Sequence, residues 1–261
     1  MKNKHIAPLL LAFFGLAALS FTTAASIQLR LKPQQDKTYT VSTKSNLMMN
    51  MEVQGQTMSQ TQNMETLQYF TTKEVTDAQT VVETHVESIK MSMSQMGMKL
   101  EYDSEHPEKT SPMLKGQIQE LEKSLKKPVT ITYDALGKVI SDSIDLAMNQ
   151  LSTVITELPE EELTVGSKWN QTKKQEVSGI PFTVNMEYTV TAITKKSVDV
   201  SFTGNVDSKE VTGSYNGTGS INPQTGLMMT STTKSNVSMT INEQGLSIPV
   251  TMVGTTTMEL K

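Results

Sequence analysis

The chain has 261 residues, with 27 acidic and 23 basic side chains, three histidines, eighteen methionines, one tryptophan and no cysteine. Without cysteine, neither an internal disulfide nor a thiolate metal site nor a cysteine nucleophile is possible. A net charge of −4 and a single arginine, Arg30, argue against nucleic acid or anionic membrane surfaces as partners, because phosphate recognition leans on arginine forks and positive fields.

In chain order the first feature is a leader. Lys2 and Lys4 precede an apolar run from Ile6 to Phe21, and the small residues Thr22, Thr23, Ala24 and Ala25 follow. That order is read as a signal peptide over residues 1–25. The run is too short for a stable membrane span, so the mature chain is expected to carry no transmembrane segment, and without cysteine it has no lipid anchor. The expected location is outside the cytoplasm, periplasmic or extracellular. Removing 25 of the 261 residues leaves 26–261 as a single β-rich domain. Its net charge is −6, since two lysines leave with the leader.

Alternation of period two then recurs, the mark of strands with one dry face. Tyr39, Val41, Leu47, Met49, Met51 and Val53 give one face of an early strand. Phe182, Val184, Met186, Tyr188, Val190 and Ala192 give another, continued by Val198, Val200 and Phe202. Leu246, Ile248, Val250 and Met252 close the series, with Met258 and Leu260 in phase. Two helices are predicted between these strand groups. One spans 112–127, with Ser111 as N-cap, Pro112 at its first position and Leu114, Ile118, Leu121 and Leu125 on one stripe. The other spans 143–158, with Ile144, Ala147, Met148, Leu151, Ile155 and Leu158 on its apolar stripe and Pro159 ending it. A hairpin, Val129 to Tyr133 and Lys138 to Ile140 about the turn Asp134-Ala135-Leu136-Gly137, separates them. The expected fold is therefore α+β, mostly β: a large curved antiparallel sheet with two amphipathic helices on its dry face.

A segment echo appears at an offset of 190. Thr43-Lys44-Ser45-Asn46 returns as Thr233-Lys234-Ser235-Asn236, and Gln54-Gly55 as Gln244-Gly245 at an expected turn. Strands rich in Thr, Ser and Met match one another easily, so the echo is read as shared strand–turn grammar.

The order Asp134-x-x-Gly137-Lys138-Val139, Val165-Gly166-x-x-Trp169, Gly217-x-Gly219 and Asn222-Pro223-x-Thr225-Gly226-Leu227 resembles a family of exported bacterial β-rich proteins of unknown function. The resemblance implies positive-φ turns at Gly137 and Gly226 and a core anchor at Trp169, and it brings no catalytic residues. In architecture the element order is similar to half-barrel periplasmic lipid carriers, in which a curved sheet wraps an apolar cavity.

Candidate chemistries are few. Met91, Met93, Met96 and Met98 offer thioethers, good ligands for Cu(I). Their change of phase, placed at a bulge or turn near Ser94-Gln95, keeps one ion from gathering all four. Glu83, His85 and Glu87 share a strand face and read as a solvated edge, and Glu160-Glu161-Glu162 as a solvated connector. Ser124-x-x-Lys127 and Ser231-x-x-Lys234 lack the companion elements of a serine acylase, and no G-x-S-x-G elbow exists. Gly213, Gly217 and Gly219 lie between strands, not before a helix, and so form no phosphate cradle. No enzyme activity and no cofactor is expected. The functional reading is a binding module whose apolar lining includes Met49, Met51, Met186, Tyr188, Phe202 and Met252, flexible methionine adapting to a lipid-like ligand. The alternative is an envelope structural or interaction protein with a packed core, whose partner is another envelope protein.

Overall fold

The computed structural model describes residues 26–261 except 54, 141–153, 178–179, 209 and 244–245. The leader reading of residues 1–25 and the turn at Gln244-Gly245 lie outside the described residues. The protein is a single antiparallel sheet of eleven strands: β1 (Thr38–Val53), β2 (Gln56–Val75), β3 (Gln79–Gln95), β4 (Met98–Asp103), β5 (Val129–Asp134), β6 (Lys168–Val177), β7 (Ile180–Ile193), β8 (Val198–Asp207), β9 (Val211–Ile221), β10 (Met228–Glu243) and β11 (Leu246–Leu260). Its order is β4-β3-β2-β1-β11-β10-β9-β8-β7-β6, with β5 also on β3. The edges β4 and β6 do not pair with each other, so the sheet is not closed into a barrel.

β3 is shared lengthwise. Its first half, from Gln79 to Thr84, pairs with β5, and its second half, from Lys90 to Gln95, pairs with β4. The expected period-two faces fall on one side of the sheet. Tyr39 and Val41 face Phe70 and Gln68 across β1–β2, Met49 faces Met252 across β1–β11, and Tyr188 faces Phe202 across β7–β8. Burial of this inner face joins most of the sheet into one hydrophobic core. The echoed segments sit on β1 and β10, the two strands that flank β11.

One end of the sheet, the base, is filled by chain without regular structure. Leu29, Leu31, Val154, Leu158, Leu163 and Leu227 are buried there. Their backbones are tied from element to element: Leu31 N–H to Ala135 O at 2.8 Å, Lys32 N–H to Thr225 O at 2.9 Å, Leu158 N–H to Leu136 O at 2.7 Å and Met228 N–H to Val154 O at 2.8 Å. Such bonds are required wherever peptide groups are buried away from water. Arg30 serves the same end, its guanidinium donating to Pro159 O and Glu160 O. Gly137 and Gly226 have φ of +82° and +71°, as the motifs implied, and both are crowded: a Cβ at Gly137 would stand 2.7 Å from Thr156 O, and one at Gly226 would collide with Arg30 O. Trp169 is buried at the start of β6 and donates from Nε1 to Glu157 O at 3.1 Å.

The helical part departs from expectation. The predicted helix over 112–127 forms as a 3-10 turn, Pro112–Leu114, followed by α1 (Lys115–Ser124). It ends early because Leu125 is extended and Lys126 has φ of +58°. Ser111 does not cap with its side chain; its Oγ accepts instead the Glu101 N–H of β4 at 2.8 Å. Of the second predicted helix, 143–153 lies outside the described residues, and 154–158 is not helical. There the tertiary bonds to Leu136 and Met228 override a periodicity that a buried irregular segment satisfies equally well. Among the described residues the sheet therefore carries one α-helix and two 3-10 turns, not two amphipathic helices.

Candidate functional site

The two ends of the inner face differ in cover. At the base the side chains are buried under the irregular segments. Towards the other, distal end, where β1 turns into β2 and β3 into β4, the inner positions become half-buried: Leu47, Met49 and Met51 of β1, Met58, Gln60, Gln62 and Met64 of β2, and Met91 and Met93 of β3. The register sets them as neighbours. Met51 is opposite Met58, Met49 is opposite both Gln60 and Met252, Gln62 is opposite Met93, and Met64 is opposite Met91. Cross-strand neighbours on one face stand about 4.5–5.5 Å apart at Cβ, so these residues form a methionine-rich field interrupted by Gln60 and Gln62, with Met49 and Met51 packed on the main core and Met64, Met91 and Met93 on a second apolar cluster.

Two devices position it. The first is a bulge in the β2–β3 pairing at Leu67/Gln68, which leaves Glu87 as the extra residue. Val82, Thr84 and Val86 face inward before it and Ile89, Met91 and Met93 after it, so one added residue turns the methionines inward. The second is the β3–β4 hairpin. Its turn is Met96–Gly97, with φ of +50° and +79°, two residues beyond the expected position near Ser94-Gln95. This turn leaves Met96 and Met98 exposed at the strand tips. Met91 and Met93 thus lie on the inner face while Met96 and Met98 lie at the tip, and the four are not brought together. The sulfurs of Met91 and Met93 accept hydrogen bonds from the Gln62 and Gln60 amides at 3.3 and 3.4 Å.

The six apolar residues singled out in the sequence divide into two groups. Met49, Met51 and Met252 adjoin one another in the distal field. Met186, Tyr188 and Phe202 are buried in the other half of the sheet, where Tyr188 stacks on Trp169 with centroids 4.9 Å apart and meets Phe202 at 5.4 Å. Thr156 Oγ1 closes that stack, donating to Gln171 Oε1 at 2.8 Å. Met58 and Met64 escaped sequence reading because β2 interleaves its methionines with glutamine. The repeat Met58, Gln60, Gln62, Met64 is the period-two signal that marks them.

α1 covers part of the field from the β4 side. Leu114 and Ile118 pack on Val86, Ile89 and Tyr102, with Met64, Met91, Met93 and Leu100 against them. Beside this contact lies a cleft of about 260 Å³ lined by Pro107, Thr110, Lys115, Ile118, Gln119 and Glu122. Among the described residues the Tyr102 hydroxyl and Thr110 Oγ1 are buried without a hydrogen-bond partner. Burial, with the Glu122 and Asp103 carboxylates nearby, holds the Tyr102 hydroxyl above its ordinary pKa. Burial likewise raises Tyr215 on the inner side of β9. A larger cleft, about 470 Å³, lies at the base between Glu157, Pro159, Glu161, Glu162, Lys168 and Trp169. Glu160, Glu161 and Glu162 are all exposed, as a solvated connector requires.

The outer face carries ordinary ion pairs. Glu83 pairs with Lys73 at 2.9 Å and Glu87 with Lys126 at 3.2 Å, and His85 Nε2 lies 3.4 Å from the Glu87 carboxylate. Among the described residues no group of three or more His, Asp or Glu side chains is placed to hold a metal ion. No helix among them is long and apolar enough to cross a membrane.

Solved structures resembling the chain include one of lipid–protein interactions in lipovitellin, 15% identical, covering 87% of this chain and 25% of that one at a TM-score of 0.48. This chain thus spans a quarter of the lipovitellin chain it matches. Another is an outer-membrane channel from Pseudomonas putida F1, 8% identical, covering 88% of this chain and 97% of that one at a TM-score of 0.28. Likenesses this weak assign neither a ligand nor an activity. No curated protein is similar in sequence. The expected likeness to proteins without an assigned activity is met by the sequence itself, for residues 142–247 match the model of a family of unknown function (DUF6263).

Proposed function

We propose that the protein is a binding module whose distal inner face, lined by Leu47, Met49, Met51, Met58 and Met64, takes an apolar, lipid-like molecule. The observation that carries this reading is the uneven cover of a single apolar face: buried at the base and across distal β7–β11, half-buried at the distal end of β1–β3. Methionine suits such a surface, because its unbranched thioether side chain repacks around ligands of different shape. The exposed Met96, Met98 and Leu246 at the strand tips extend the apolar character to the rim. With the leader reading of residues 1–25, the module works outside the cytoplasm, in the periplasm or the medium.

Native mass spectrometry of protein purified from its own cells without detergent tests the reading. An extra mass of lipid size, lost on denaturation, is the expected result. A bare polypeptide mass, together with no binding of an added fatty acid, would overturn it.

A further inference from the structure

The same field holds a second chemistry. Met49 stands directly opposite Met252 on β11, and Met51 directly opposite Met58 on β2. Met49 and Met51 are two residues apart on one strand, about 6.7 Å along it. Met49 and Met51 therefore each adjoin Met252 and Met58, directly or on the diagonal, while Met252 and Met58 lie on either side of β1. The side chains have enough rotatable bonds to turn three sulfurs at a time towards a common point. Met252 is buried and the other three are half-buried. Their sulfurs also differ from those of Met91 and Met93, each of which accepts one hydrogen bond, from the Gln62 and Gln60 amides respectively. Among the described residues no donor engages the sulfurs of Met49, Met51, Met58 or Met252. Neighbouring inner positions are Leu47, Val237 and Val250, which are apolar, and Gln60, opposite Met49, whose amide nitrogen is turned to Met93; among the described residues no carboxylate or imidazole adjoins the four to hold a hard cation.

We infer that Met49, Met51, Met58 and Met252 form a site for a soft monovalent cation, Cu(I) or its analogue Ag(I). Thioether sulfur selects such ions and leaves Mg²⁺, Ca²⁺ and Mn²⁺ unbound. Binding needs no change of oxidation state and releases no proton, since a thioether carries none. The site is separate from the sequence-level candidate at Met91, Met93, Met96 and Met98, which the β3–β4 turn divides between the inner face and the tip.

The test is titration of the full chain with Ag(I), and with Cu(I) under ascorbate, in competition with a coloured chelator, followed by X-ray absorption at the copper edge. The expected result is saturable binding with a sulfur-only first shell. Replacing Met49, Met51 and Met252 together by leucine should abolish that binding, whereas leucine at Met96 and Met98 should leave it intact. Fatty-acid binding is measured separately on the metal-free wild-type chain, so that its absence alongside saturable Ag(I) binding overturns the apolar-ligand reading and leaves this site standing. An oxygen- or nitrogen-dominated shell in the wild-type protein would overturn the inference whatever the variant's stability. Undiminished Ag(I) binding by a folded triple variant would do so as well.

Discussion

The base and the distal half of this sheet use one face for two purposes. At the base, Leu29, Leu31, Val154 and Leu227 are almost wholly buried, and backbone bonds running between the N-terminal segment, the 134–137 turn, 154–163 and the 222–228 turn fix them in place. At the distal end of β1–β3 the strands project past that plug, and their inner positions are filled mostly by methionine and glutamine with part of their surface open, while distal β7–β11 stay buried. The contrast separates stability from adaptability: tightly tied aliphatic packing for the first, loosely covered thioethers for the second.

The largest effect expected is at the base. Leu29→Ala should cost about 2–5 kcal/mol in urea unfolding, whereas Met51→Ala should cost about 1 kcal/mol or less. Equal costs at the two sites would dissolve the contrast. The glycines sharpen it. Gly226→Ala meets Arg30 O and a φ of +71°, and should destabilise by about 1–3 kcal/mol. Gly55→Ala, in the distal β1–β2 turn with nothing within 4 Å, carries only the backbone strain of about 1–2 kcal/mol. A smaller loss, about 1 kcal/mol, is expected for Trp169→Phe, which deletes the donor to Glu157 O and keeps most of the stack on Tyr188.

The smallest effect is electrostatic and belongs to the β3–β4 side. Burial pushes the Asp103 carboxyl up, but the Glu105 N–H, Lys90 and His106 outweigh it and hold the group below its ordinary 3.8. A carboxylate with a depressed folded pKa contributes stability that is complete above 3.8 and fades as pH falls through the lower folded value. The difference in unfolding free energy between wild type and Asp103→Asn should therefore be steady at neutral pH and shrink below 3.8. Lys90, raised above 10.5 chiefly by its bond to Glu105, gives the mirror case, its share lost at alkaline pH. A Asp103→Asn difference that grows on acidification would contradict this assignment.

Much of the fold is legible in the residues. Period two in β1, β7, β8 and β11 identifies both the strands and the inner face, because one residue of register would turn that face outward. The Asp134–Gly137 turn is equally legible, since Asp134 Oδ1 accepts the Leu136 and Lys138 N–H groups and Gly137 takes the positive φ. Ile155 and Leu158 mislead, because spacing of three describes a buried irregular segment as well as a helix. The candidate site is half legible. Met49, Met51 and Met252 follow from alternation, but their juxtaposition depends on the pairing of β1 with β11, some two hundred residues away in the chain, which no local pattern encodes. Met58 and Met64 hide among glutamines, and the inward turn of Met91 and Met93 depends on the bulge at Glu87.

Photo-crosslinking with a diazirine-bearing fatty acid, mapped by peptide mass spectrometry, tests the central claim most directly. The account predicts saturable adducts on the strand segments that carry Met49, Met51, Met58, Met64 and Val250, competed away by unlabelled fatty acid. Adducts confined to the base cleft beside Trp169, or labelling that neither saturates nor competes, would contradict it.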